Sequence, residues 1–326
     1  MNITVIGGGT GTSSVLKGLK KYKELNINVI VTMMDDGGSN QVIREVFGLL
    51  PVSDIRKSIL ALSKKDDDKL KEVLEYRFDS GKNLKGHTVG NLTLVALSKL
   101  LNSEEKSIQE LSDILEVQGN VIPVTDKMCK LVAEYDNGKI RHGEHSIDEP
   151  RNFSNERITH IYTKPTVKAS KRAIKAIKES DYIILGPGDL YTTTIANLLV
   201  LGIPKAINES KAKLIYISNL MTKKGQTRHL TASGLLNEVS TYAQRVPDHV
   251  LINNSPIPEK ILRKYKKEKP IPDDVSDNQA YKVIRKDLIE KEERKRQKGD
   301  DLVRSLIRHD CDKIGVVLKN IFDGKT

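Results

Sequence analysis

The sequence predicts an α/β fold: a doubly wound, mostly parallel sheet with a small β-rich insertion. Three observations predict it. Short apolar runs that read as buried strands alternate with stretches of helical period along most of the 326 residues. Two of these runs end in loops rich in glycine and hydroxyl groups, Gly7 to Thr12 and Gly186 to Thr194, each followed by a helix. Between them the character changes, and strand-like runs flank an Asn-Gly turn.

The elements follow in order. Ile3 to Ile6 is a strand, and Val15, Leu16, Leu19 and Tyr22 mark a helix. Val29 to Met33 is the second strand and runs into Asp35, Asp36, Gly37 and Gly38, which completes a βαβ unit. Gln41 to Phe47 is a helical turn. Asp54 or Ser53 caps a helix from Ile55 to Lys64, and residues 66–78 form another. Gly86 to Asn91 makes a polar entrance to the helix from Leu92 to Leu101, and residues 107–115 are helical. The excursion spans 118–163, with a hairpin turning at Asp136, Asn137 and Gly138 and a strand at Ile158 to Tyr162. It is expected to pack and to serve as a lid rather than supply chemistry. The α/β pattern resumes with a helix from Lys168 to Glu179 and a buried strand from Asp181 to Leu185. A helix from Ile195 to Val200 follows the second glycine loop. Lys213 to Ser218 is a strand that ends at Asn219, Thr231 opens a helix to Ala243, and Val250 to Asn254 closes the sheet. Residues 282–298 read as helical, and Asp310 caps a last helix from Lys313 to Ile321. The chain reads as a single domain, 1–326, whose segment 260–326 is mostly helical and packs on the core.

Composition narrows the function. Charged residues make up 30% and apolar ones 38%, as in a soluble globular protein. No apolar run is long enough to span a bilayer, and no basic and apolar leader precedes the first strand. Cys129 and Cys311 show no metal-ligand spacing, which fits a reducing cytoplasm. The net charge is +11, concentrated late: Lys260, Arg263, Lys264, Lys266, Lys267 and Lys269, then Lys291, Arg294, Lys295, Arg296 and Lys298 interleaved with glutamates. These read as solvated surface. With four Phe and no Trp, stacking platforms for nucleic acid are not expected.

The glycine loops carry the chemistry. Gly8, Gly9 and Gly11 let a ligand approach the backbone, Thr10 and Thr12 add hydroxyl groups, and the helix presents unpaired N–H groups at its positive end. A phosphate or diphosphate is the natural guest. The pattern lacks the third glycine of the dinucleotide fingerprint and the lysine of a P-loop. Gly186, Pro187, Gly188 and Leu190 form a second loop of this kind, at the sheet edge where ligands settle. Asp36 either holds its own loop, bonds a ribose hydroxyl, or, with Asp35, serves a metal or an attacking hydroxyl. His87 contacts a phosphate, acts as a general acid, or bonds the local backbone. His142 and His145 near Glu144 read as solvated rather than metal-binding.

Several motifs together resemble one family. The run Gly7 to Thr12, Asp35 to Ser39, Leu50-Pro51 with Asp54 to Arg56, and Gly86 to Asn91 are similar to the YvcK proteins. So are Gly186 to Gly188 with Leu190 to Thr192, Asn219 to Thr222, and Arg308 to Asp310. These proteins are gluconeogenesis factors of the superfamily that includes 2-phospho-L-lactate transferase, CofD. The resemblance implies a Rossmann-like fold and a cytoplasmic regulator that binds UDP-sugars such as UDP-N-acetylglucosamine and supports cell shape and cell-wall synthesis on gluconeogenic carbon sources. It implies no required cofactor and no catalytic residue. It implies no nucleic acid or membrane insertion, and leaves room for a regulatory protein partner and a homodimer. Carried over by position, it places Gly8, Gly9, Thr10, Gly11, Thr12, Asp36, Asn91, Gly186, Pro187, Gly188, Leu190, Asn219, Tyr265 and Arg308 at the nucleotide-sugar site. Tyr265 stacks on the base, bonds the sugar, or is an ordinary half-buried tyrosine. The family's phosphorylatable threonine corresponds to Cys311 here, which puts that regulation in doubt. The alternative is a transferase of the CofD type, which passes a phospholactyl-type group to a deazaflavin alcohol and uses Mg2+.

Overall fold

The computed structural model describes residues 1–65, 68–150, 156–265, 268–278, 280–290 and 306–325. Ten strands form two sheets among them: β1 (Asn2–Gly7), β2 (Asn26–Val31), β3 (Asn120–Pro123), β4 (Lys130–Tyr135), β5 (Ile140–His142), β6 (Ile158–Lys164), β7 (Tyr182–Leu185), β8 (Lys213–Ile217), β9 (His249–Asn253) and β10 (Lys282–Lys286). The main sheet has seven strands in the order β10-β9-β8-β7-β1-β2-β3, and every pairing in it is parallel. From β1 the chain winds outward through β2 to β3. It then returns to the other side of β1 and winds outward again through β7, β8, β9 and β10. The order therefore reverses between β1 and β7, the place where crevices open in such sheets.

Local chemistry explains the elements. Val29, Ile30 and Val31, like Ile183, Ile184 and Leu185, are wholly buried, as expected of parallel strands covered by helices on both faces. Helix starts carry side-chain caps where the sequence offers them. Thr88 caps the helix Val89–Leu101, Thr231 the helix Ala232–Ala243, and Asp310 accepts from the amides of Asp312 and Lys313 at 2.8 and 3.0 Å. The helix Ser53–Leu62 instead begins behind Val52 without a side-chain cap.

Two expectations are corrected. Residues 282–286 are an edge strand paired with β9, so the sheet does not close at β9. Only Ile284 is buried in that strand, and the register with β9 rather than local periodicity defines it. Residues 287–290 are not helical either, with Ile289 bridging to His309, and the rest of the expected helix, Lys291 to Lys298, lies outside the described residues, as do Lys266 and Lys267. The excursion also starts later than 118, because 120–123 belongs to the main sheet. Its three-stranded antiparallel sheet, β5-β4-β6, covers 130–164. The hairpin turn is as expected, with Gly138 at φ +79°.

Candidate functional site

The site is built from loops at the carboxyl edge of the parallel sheet. β1 delivers Gly8, whose amide donates to the Thr12 hydroxyl at 2.8 Å. Thr12 is buried, so this hydroxyl fixes the loop from within. Gly9, Thr10 and Gly11 remain half-buried, at the start of a helix, Gly9–Leu19, that no side chain caps. Its first-turn amides are left to other partners. β7 delivers the second loop. The Asn219 amide, from the end of β8, donates to the Gly188 carbonyl at 2.6 Å. Asn197 donates to the Gly7 carbonyl at 3.0 Å and to the Thr193 carbonyl at 2.8 Å. One π-helical stretch, Leu190–Ile195, follows this loop and buries Leu190. Such turns are frequent at functional sites.

The two loops touch. A β-carbon on Gly11 would overlap the carbonyl oxygen of Pro187, and one on Gly188 would come within 2.9 Å of Thr193 Cγ2. A β-carbon on Gly8 would overlap the Asp54 carboxylate. Glycine at 11 is thus required by close backbone approach, and Gly9 by its φ of +66°.

Carboxylates surround this crevice. Asp35 accepts from the Gly37 amide at 3.0 Å and the Asn40 side chain at 2.7 Å. Burial, then the charge of Asp54, pushes its acidity constant up. Asp36 accepts from the His145 amide at 2.9 Å. The insertion therefore reaches the loop after β2 and brings its own acids to the crevice. Glu144 comes within electrostatic reach of Asp35, Asp148, Asp36 and Asp189, and burial followed by these charges pushes it well above the carboxylate range. Asp148 accepts from Gln226 at 3.0 Å and pairs with Lys223 at 3.2 Å, and Lys223 also reaches Asp189 at 3.4 Å. Burial and Asp189 push Asp148 up to about 7 despite Lys223. Burial opposes the charge of Lys223, yet Asp189 and Asp148 outweigh it and hold the ammonium above the usual lysine range. His142 and His145 are exposed.

The other expected residues are placed as follows. Asn91 is buried and spends its side chain inside the protein. It accepts from Arg56 Nε at 2.9 Å and donates to Ser39 and Ser53 hydroxyls at 3.0 Å each. Ser39 also meets His87 Nδ1 at 2.8 Å, and burial followed by the charge of Arg77 lowers the basicity of that imidazole. This network ties the segment after β2 to the helices that begin at Ser53 and Val89. The Tyr265 hydroxyl accepts from the amides of Leu306 and Ile307 at 2.8 and 3.1 Å. It packs with Leu220, Met221 and Ile307 in a small cluster beside the loop after β8. Arg308 follows directly, half-buried, with its carbonyl accepting from Glu290. The sequence reading did not single out Asp148, Lys223 or Gln226, and it named Glu144 only beside His142 and His145 as solvated. Lys223 and Gln226 follow β8 at the carboxyl edge, a positional signal. Nothing local distinguishes Glu144 and Asp148 from surface acids.

Comparison with known proteins gives the family and the fold. A family model described as 2-phospho-L-lactate transferase CofD matches residues 3–290. A relative from Thermoanaerobacterium thermosulfurigenes is 38% identical over 326 residues, covering 98% of this chain and 97% of its own. A protein of Listeria innocua named gluconeogenesis factor is 35% identical, over 99% of this chain and 96% of its own. The crystal structure of a protein from Bacillus halodurans superposes with a TM-score of 0.87 at 32% identity, over 98% of this chain and 99% of that one. The chain belongs to the YvcK family of gluconeogenesis factors, within the CofD superfamily.

Proposed function

We propose that the protein is a nucleotide-sugar-binding regulator that takes UDP-N-acetylglucosamine or a close relative in the crevice between β1 and β7. On this reading it maintains cell shape and cell-wall synthesis during growth on gluconeogenic carbon sources, in the cytoplasm, and needs no cofactor. The observation that carries the reading is the contact of two glycine loops at the point where strand order reverses. Backbone amides at a helix start and a second loop from the neighbouring strand form a cradle that suits a diphosphate. The segment holding Tyr265 and Arg308 lies beside the loop after β8, and an Arg fork there would pair two phosphate oxygens. Thermal unfolding tests it. Saturating UDP-N-acetylglucosamine raises Tm, as binding linkage requires, and Arg308→Ala abolishes the rise. No shift with any UDP-sugar would sink the reading.

The family match favours a second reading, a phospholactyl-type transferase acting on a deazaflavin alcohol. Asp35 and Asp54 fit its Mg2+ by chemistry, because both are hard oxygen donors and the charge of Asp54 already raises Asp35. Asp36 is the third candidate ligand. The metal would neutralise phosphate charge, while these carboxylates hold and orient it. Turnover of a deazaflavin alcohol without UDP-sugar binding would reverse the order of the two readings.

A further inference from the structure

Beside the crevice a cavity of about 450 Å3 opens between the helix Gly38–Phe47 and strands β4 and β6. Its charged lining is Asp36, Arg44, Glu45, Lys130 and Lys164. The volume suits a small ligand, since such pockets run from about 300 to 1,000 Å3. Its cations are unusual in their company. Lys130 and Lys164 are register partners on antiparallel strands, so both side chains leave the same face, where like charges repel. Arg44 is buried, and its guanidinium donates to the carbonyls of Met33, Asp35 and Cys129 at 3.2, 3.4 and 2.6 Å. The last of these bonds ties it to the residue before Lys130. Among the described residues none of the three cations makes an ion pair, although two carboxylates line the same cavity. Arg44 is the buried one of the three and has carbonyls as its partners, while Lys130 and Lys164 are exposed at the rim, so three cationic groups face one small cavity and can draw an anion into it.

We propose that the cavity is a binding site for a small phosphorylated polyol of the sugar-phosphate class. Its phosphate sits with Arg44, Lys130 and Lys164, the latter two acting as point charges. Its hydroxyl groups donate to Asp36 and Glu45. Met128, Cys129 and Pro165 supply the apolar surface against which a sugar ring or carbon chain rests. The two carboxylates repel a second anionic end, so dicarboxylates and bisphosphates are disfavoured. This site lies outside both glycine loops and stands whether or not a nucleotide sugar binds there. It meets the crevice at Asp36, which also holds the His145 amide.

Calorimetric titration of the full chain tests the proposal. The probes are glucose 6-phosphate and glycerol 3-phosphate, with glucose, inorganic phosphate and succinate as controls. At least one of the two phosphoesters binds saturably and more tightly than every control. The double substitution Lys130→Ala with Lys164→Ala weakens it tenfold or more. Both lysines are exposed, so the double variant keeps the wild-type Tm without ligand. UDP-N-acetylglucosamine titrated into the same variant binds as it does to wild type. Its failure on both proteins would remove the nucleotide-sugar reading and leave this one standing. Neither phosphoester binding, undiminished binding by the double variant, or equal binding of a control would each overturn the proposal.

Discussion

Two glycines two residues apart serve the first loop for different physical reasons, and substitution separates them. Gly9 has φ +66° with open space around its missing side chain. Gly9→Ala therefore costs only backbone strain, about 1–2 kcal/mol, and leaves the second loop in place. Gly11 has an ordinary φ, but its added methyl would meet the Pro187 carbonyl, which is backbone and cannot rotate aside. Gly11→Ala is expected to cost about 1–3 kcal/mol in urea unfolding and to weaken nucleotide-sugar binding at least tenfold, since both loops must part. Unimpaired binding by Gly11→Ala would show that the loop contact does not shape the site. His309 gives a second prediction. It is buried, and burial pulls its basicity down to about 4. The unfolded chain binds a proton near pH 6.5 and the folded one does not until about 4, so stability rises with pH across that window, by about 3 kcal/mol. His309→Gln should flatten this acid limb in unfolding experiments from pH 4 to 7. At this scale the sequence was legible for residue types and illegible for where their bonds go. Asp310 caps its helix as read, but Asn91 and the Tyr265 hydroxyl are committed to internal partners that lie far away in the chain.

Among the elements, the strands could be read because burial on both faces writes continuous apolar runs, and the two glycine loops because each sits between such a run and a helix. The β10 edge strand could not, since an edge needs little apolar surface and Lys282 to Lys286 shows only Val283 and Ile284. Nor could the reach of the insertion, because folding alone brings Glu144 and Asp148 to acids in the loops after β2 and β7. That convergence has a consequence for binding. Burial, then the charge of Asp189, pushes Asp148 up to about 7, against a reference near 3.8. A raised acid favours the folded state at low pH, and this contribution is lost as pH rises through about 7. A diphosphate entering beside these carboxylates favours their neutral forms in the same direction. Nucleotide-sugar affinity should therefore increase as pH falls from 8 to 6, with net proton uptake. Titrations in two buffers of different ionisation enthalpy measure that uptake, and Asp148→Asn should reduce it. Affinity that falls over the same range would contradict this placement of the acids.

Across the whole molecule, one helix links the crevice to the end of the chain. The helix Gly9–Leu19 carries the first glycine loop at its start and crosses the last helix, Cys311–Phe322, near its own end. The crossing is backbone on backbone. A β-carbon on Gly18 would overlap the Cys311 carbonyl, and one on Gly315 would lie 2.8 Å from the Gly18 carbonyl. The last helix begins directly after Arg308, His309 and Asp310, so the position of that segment is set by how closely the two helices approach. This arrangement follows from strand order, which local patterns do not specify, although short right-handed crossovers restrict it. Gly315→Leu would force the helices apart and is expected to destabilise the chain by about 1–3 kcal/mol, as overpacking of a close contact does. Its effect should reach beyond stability. If Arg308 contributes to nucleotide-sugar binding, moving the last helix weakens the ligand even at temperatures where the variant is fully folded. Val316→Leu on the same helix is the control, because Val316 is exposed and should change neither quantity. Loss of stability with ligand affinity intact, measured well below Tm, would show that the C-terminal segment is not mechanically tied to the crevice.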